Sequence, residues 1–401
     1  QRAAGMPSQA EDTLFAAAAA AEAGRDGDAT VNAWLELSRL VGETGARYPQ
    51  AHRLARLARG AIERMGGDQK HEARLEDWIG RLHHAEKRLD QARTHLERGL
   101  SLRQRALGSE HFAVAESLQH LAALEESRGD RQRALALHSR AREIGEKARG
   151  PAHPDLLPFL RGEAGAQGAL GRHAEALALV ERGLIVAEAG GPTSEMAVAF
   201  LGHVGRARWK QGDHAGALAA LEKRLAGLEQ LAGAEHARLS APLSELGRLL
   251  VDMGRAEASI ARFQRAAAIA RAHGADHPDL AAAIEGIGAA ELARGLPERA
   301  IAPLEQAVAM RERGESARDL AAARQLLARA LARAGKSGRA RRLLEAARDG
   351  FEKAGDAEAA AAAAEELRGG TLGAREGREN RGERGQSRKP GKSNHAGRKG
   401  H

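Results

Sequence analysis

Six glycines recur at nearly constant spacing along the chain: Gly129, Gly171, Gly212, Gly254, Gly295 and Gly335, at intervals of 42, 41, 42, 41 and 40 residues. Chance placement does not give such a series, and self-similarity at about 20–50 residues marks stacked repeats rather than independent domains. The stretch 111–155 shows one full unit. Leu118, Leu121, Ala122 and Leu124 fall at helical spacing before a break at Gly129–Asp130; Ala134, Leu135, His138 and Ala141 mark a second helix, ended by Gly150 and Pro151. Each unit is a helical hairpin.

The residues around each break repeat as well. Five after it stand Ala134, Ala176, Ala217, Ser259, Ala300 and Ala340; seven before it stand Ala122, Ala164, Gly205, Gly247, Gly288 and Ala328. Antiparallel helices approach closely only where small side chains face each other, so these positions mark the contact inside each hairpin. Stepping back 42 residues from Gly129 reaches Lys87, with Gly80 and Ala92 at the two small positions: a further repeat whose turn glycine is lost. Aromatic residues make up only 2% of the chain. That suits thin helical layers built on Ala and Leu better than one large core.

The pattern divides the chain into a frayed start at 1–8, N-terminal helices with a degenerate hairpin at 9–66, a repeat array of period 40–42 at 68–368, and a disordered basic tail at 369–401. Helices are expected at about 9–23, from Ala29 to Gly42, and from Ala51 to Met65. Connectors between hairpins read LGSEH (107–111), RGPAHPD (149–155), LAGAEH (231–236) and HGADHPD (273–279). In these, Gly ends one helix, Pro sets the next start, and Asp155 and Asp279 are placed as N-caps or as early-helix acids. The tail lacks apolar periodicity and cannot offset the entropy of ordering. It carries nine Lys/Arg against three acids, +6 of the formal net charge of +8, so the helical body is near neutral. With no cysteine there are no disulfides and no thiolate metal site, which suits a reducing, cytoplasmic setting. No run of 18 apolar residues exists to span a membrane.

The small residue seven before the turn, the Gly–Asp turn itself, and Ala five and twelve after it (Ala134 with Ala141, Ala300 with Ala307, Ala340 with Ala347) resemble tetratricopeptide repeats. The longer period and the HPD connector are similar to the kinesin-light-chain-like subclass. Departures are Gly183 and Arg224 at the second Ala position, Ser259 at the first and Lys87 at the turn. The Asn pair of that subclass is replaced by Gln119–His120 and Ser244–Glu245. The resemblance implies an all-α, right-handed superhelical solenoid of about eight hairpins, with a concave surface for a protein or peptide partner. A finer resemblance links 33–68, LERGLSLRQRALGSEH and LPERAIAPLEQAVAMRE to regions that follow the kinase domain in myxobacterial-type serine/threonine kinases. It implies a regulatory or substrate-recruiting arm of a bacterial kinase.

No catalytic constellation is present in the sequence. Kinase motifs (a glycine-rich loop, HRD, DFG) are missing, so a catalytic part belongs outside this chain. Gly335-Lys336-Ser337 ends like a phosphate loop, but Ala330 stands where its first glycine belongs, and Gly335 is a repeat turn. No cofactor is expected. No HExxH occurs among the 17 His, His83 and His84 point to different sides of a helix, and no metal is expected. His111, His153, His236 and His277 recur at connectors and read as structural. Arg81, Arg206, Arg248 and Arg329 share one position, the ninth in the first helix of their hairpins, which the resemblance turns toward the groove. They are either a row of guanidiniums for an acidic peptide or a solvated polar face. Trp78 and Trp209 lie near that face as anchors or as ordinary core. The basic tail is either an inert terminus or a non-specific, salt-dependent contact with nucleic acid or anionic lipid.

Overall fold

The computed structural model describes residues 7–45, 47–274, 278–314 and 316–368; the start of the chain before Pro7 and the basic tail 369–401 lie outside them. The described residues form helices and no strands. Helix α1 (Pro7–Ala23) comes first. Eight hairpins follow: α2 (Gly27–Gly45) with α3 (Tyr48–Arg64), α4 (Gln69–Ala85) with α5 (Leu89–Leu107), α6 (Phe112–Arg128) with α7 (Arg131–Arg149), α8 (Leu157–Ala169) with α9 (His173–Glu188), α10 (Glu195–Lys210) with α11 (His214–Ala232), α12 (Ser240–Asp252) with α13 (Ala256–Ala272), α14 (Pro278–Ala293) with α15 (Pro297–Arg311), and α16 (Ala317–Arg333) with α17 (Ser337–Lys353). Helix α18 (Ala357–Arg368) comes last. The hairpins form two compact units, one running to Arg224 and the other from Leu225, so the boundary falls inside α11. The all-α hairpin array expected from the period is the fold observed.

The turn inside each hairpin from the second to the eighth takes a left-handed residue. Gly129 has φ 84°, and the other five recurring glycines have φ between 72° and 82°. Asp130 then caps α7, its side chain accepting from Arg133 N at 3.0 Å. Lys87 adopts φ 61° at the position where the period requires a glycine, so the backbone keeps the turn even though the residue opposes it.

Behind the turn, the residue nine after it packs on the small residue seven before it. A Cβ added to Gly80 would lie 2.6 Å from Leu96 Cγ, to Gly205 2.6 Å from Leu221 Cδ2, and to Gly288 2.5 Å from Leu304 Cγ. Leu96, Leu221, Phe263, Leu304 and Leu344 are all buried at this place. In the third hairpin it is taken by His138, 3% exposed. Its ring presses on Gly162, whose added Cβ would fall 2.6 Å from Nδ1. Neither ring nitrogen has a hydrogen-bond partner, since Glu126 Oε1, 3.3 Å from Nε2, lies off the bonding direction.

The connectors decide between the two roles expected of their acids. Asp155 and Asp279 sit in the first turn of their helices, where a negative charge suits the helix dipole. The cap before Asp155, however, is a histidine: His153 Nδ1 accepts from Asp155 N at 3.1 Å. His111 Nδ1 accepts in the same way from Ala113 N, and His236 Nδ1 from Arg238 N, each at 3.2 Å. The proton of each ring is therefore on Nε2. His277 lies outside the described residues.

Successive hairpins are tied by side chains one period apart. Trp78 Nε1 donates to Ser38 Oγ at 2.7 Å, and Ser38 Oγ donates to Ala51 O at 2.7 Å. Arg128 pairs with Asp90 across 38 residues, Arg182 with Glu146 across 36, and Arg333 donates to Leu292 O across 41.

Restoring the repeat at two of its departures is expected to stabilise the chain. Lys87→Gly relieves the left-handed residue and gains about 1 kcal/mol. His138→Leu removes two buried, unsatisfied nitrogens and gains ~1–3 kcal/mol. Urea denaturation followed by circular dichroism measures both; an unchanged or lowered midpoint would contradict them.

Candidate functional site

The first helices of five consecutive hairpins in the unit ending at Arg224 line an open cavity of about 910 Å³. Helix α2 supplies Glu36 and Arg39, α4 supplies Arg74, Asp77, Trp78 and Arg81, and α6 supplies Phe112, Glu116, Gln119 and His120. Arg103 of α5, Arg149 at the end of α7, Asp155, Pro158 and Phe159 of α8, and Met196 of α10 extend the wall. Five arginines and four carboxylates thus face one space, with Trp78 and Phe112 as its apolar surfaces.

Two adjacent acids stand at the middle of α4, and one of them, Asp77, lies in the cavity wall. Asp77 is 5% exposed; it accepts from His120 Nδ1 at 2.9 Å and lies 3.9 Å from Arg103 Nη2. Burial alone would raise its carboxyl, but His120, Arg103 and Arg81 hold it below the ordinary range. Arg103 is itself fixed, donating to Ala113 O at 2.8 Å and Ser117 Oγ at 2.9 Å. On the other face of α4, Glu76 is 1% exposed and receives Arg59 at 2.8 Å and His95 Nδ1 at 2.6 Å. Burial again pushes this carboxyl up, yet the bonds from His95 and Arg59 and the charges of Arg59 and Arg98 bring it down to about 2.

Trp78 and Arg81 meet in this cavity, with the guanidinium 5.2 Å from the indole centroid and 3.0 Å from Glu43 Oε1. Trp78 is mostly core, 7% exposed. Arg206 and Trp209, on α10 of the same unit, do not line the cavity. Arg206 is exposed and donates to His203 Nδ1 at 3.0 Å; burial, then Arg206, Arg161 and Arg224, lower that imidazole to about 4. Trp209 is half-buried. In the other unit, Arg248 is exposed on α12, close enough to Glu285 to act on its charge. Arg329 is taken up by Glu366 of α18, to which Gln325 also donates at 2.7 Å. Arg103, His120, Asp77 and Arg149 were not singled out from sequence. The available signal was the pair Gln119–His120 at the place of the subclass's Asn pair, one period after Asp77–Trp78.

The geometry is that of a tandem helical-hairpin repeat protein whose first helices line a polar groove. The family model for the tetratricopeptide repeat matches residues 71–147 and 238–313, which are α4 to α7 and α12 to α15, so the hairpins there are tetratricopeptide repeats. The chain is similar to a Rap protein solved in complex with competence and sporulation factor, at 16% identity and TM-score 0.54 over 86% of this chain and 97% of that one. It is similar to the apo form of RapI at 14% identity and TM-score 0.54 over 70% and 99%. BtubC (BKLC) from P. vanneervenii shares 22% identity, with TM-score 0.49 over 57% and 92%. The likeness to the Rap proteins is one of fold. No curated protein matches the chain. No described helix is long and apolar enough to cross a membrane.

Glu76 makes the first unit acid-sensitive. With its folded value near 2 against an ordinary 4.5, its contribution is complete above about pH 4.5 and is lost as pH falls through about 2. Glu76→Gln is expected to lower stability near neutrality by ~3 kcal/mol. The gap to wild type closes as the melting temperature is followed down from about pH 5 to about pH 2. A gap that stays constant would show that the carboxylate charge is not what matters.

Proposed function

We propose that the groove along α2, α4, α6 and α8 binds an extended acidic segment of a protein partner. The observation that carries this is the cavity of about 910 Å³ with five arginines on its wall. Arg74 is exposed and spends one N–H on Asn32 Oδ1 at 2.5 Å; Arg81 spends one on Glu43. Arg149, its side chain 49% exposed, lies 3.5 Å from Asp155 and 5.0 Å from the Phe112 ring centroid. A guanidinium carries five donors in a planar fork that suits carboxylates, so these three retain capacity for an incoming acid. Phe112, half-buried beside the edge of Trp78, gives the apolar surface that an anchoring side chain needs.

The same proposal assigns the chain to the regulatory or substrate-recruiting arm of a bacterial serine/threonine kinase, with catalysis residing outside these 401 residues. Its support is the sequence resemblance of 33–68 and the repeats that follow.

A peptide array graded in net charge, probed with the full chain, a 1–368 version and an Arg74→Glu/Arg149→Glu version, tests the groove. Acidic peptides should bind the first two equally and the double variant about tenfold or more weakly, with circular dichroism unchanged. Binding that survives the double variant, or that vanishes with the tail, refutes the groove and, in the second case, hands the activity to 369–401.

A further inference from the structure

Away from the groove, the junction between the first and second hairpins gathers histidines that are remote in sequence. His52 comes from α3, His83 from the last turn of α4, and Glu86 caps the end of α4. His52 Nε2 is 2.9 Å from Glu86 Oε2, and His83 Nδ1 is 3.3 Å from the same oxygen. One donor atom from each residue lies within 4.8 Å of the others, and this is the one such trio among the described residues. The side chains are 20%, 12% and 11% exposed for His52, His83 and Glu86. The two imidazoles face each other at 4.8 Å between centroids, and His95 stacks on the far side of His83 at 5.3 Å. A cavity of about 480 Å³, with His52, His83, Arg59 and Arg88 in its wall, adjoins the cluster.

Hydrogen bonding alone leaves this cluster unfinished. His83 Nδ1 is buried and has no hydrogen-bond partner, because Glu86 Oε2 stands off the bonding direction. An orphaned buried nitrogen costs about 1–3 kcal/mol. A metal ion accepts the lone pair of that nitrogen and removes the orphan.

We propose that His52, His83 and Glu86 form a binding site for a zinc-class divalent ion that clips the first hairpin to the second. Two imidazoles and one carboxylate are a known zinc ligand set, and imidazole favours transition metals over calcium or magnesium. Zn–N and Zn–O distances of about 2.0–2.2 Å place tetrahedral ligands roughly 3.4 Å apart. The two contacts to Glu86 are already close to this, and rotation of the imidazoles brings the third pair in. The fourth position opens to the adjoining cavity and takes water. Arg88, 3.7 Å from Glu86 Oε2 and 57% exposed, opposes the ion's charge and swings into solvent on binding. The sequence expectation of no metal rested on spacing within single helices. Here the ligands come from two helices and a turn, 34 residues apart at their extremes.

The test uses the full chain without an affinity tag, stripped with chelator and titrated with Co²⁺ and then Zn²⁺. Expected are one saturable site, the visible absorption bands of four-coordinate Co²⁺, their loss on adding Zn²⁺, and a rise in melting temperature with metal. His83→Gln and His52→Gln/Glu86→Gln, shown to be folded by circular dichroism, should weaken binding at least ~100-fold. Arg88→Ala should tighten it, and His214→Gln, at the start of α11 and remote from the cluster, should leave metal binding unchanged. Absence of saturable binding, or binding equal in wild type and the double variant, overturns the site.

Discussion

In the hairpins built on Gly80, Gly205, Gly247 and Gly288, one large side chain, nine residues past a turn, lies on a residue too small to keep it away. Leu96 on Gly80, Leu221 on Gly205 and Leu304 on Gly288 are the same contact repeated. It brings two helices close enough to exclude water with few aromatic residues. No hairpin buries its whole apolar surface in this way, so the remainder is met by the next hairpin along. Stacking sets the first helices side by side, and their outward residues become the groove wall.

That constraint explains why most of the fold was legible in the sequence and much of the site was not. The turn glycines, Ala134, Ala217 and Ala340 are identities forced by sterics, so they recur and can be counted. Even Lys87, which breaks the rule, was placed by its neighbours Gly80 and Ala92. Site residues obey no such period. Asp77 is a buried acid because His120 and Arg103 of adjoining helices meet it, and nothing within α4 announces them. Arg81 and Arg329 share a repeat position yet differ in company: one stacks on Trp78, the other is held by Glu366 from α18. The His153 cap was hidden because Asp155, the better-known capping residue, stood two positions away.

Glu125, Glu163 and Glu245 are buried carboxylates in other hairpins, but α4 buries two side by side. Glu76 and Asp77 are consecutive, so their side chains leave α4 on different faces. One is neutralised by α3 and α5, the other by α5 and α6. A single helix thereby engages three others through carboxylates that keep their charge. Removing either partner would leave a buried ion uncompensated, a larger loss than the pair itself contributes. On the groove side Asp77 is held by His120 and Arg103, and the exposed arginines of the rim are where further contacts can be made.

The ties between hairpins have a further meaning for how the chain reaches this state. Arg128 to Asp90, Arg182 to Glu146, and Arg333 to Leu292 all close loops of one repeat, 36–41 residues. Within each unit, order therefore spreads by a series of equal, short closures, and none requires distant ends of the chain to find each other. The entropy of each closure is modest, and sequence-local contacts favour rapid assembly. Growth can begin at any adjoining pair of hairpins, and a nascent chain can lay down its first layers while later ones are still being made.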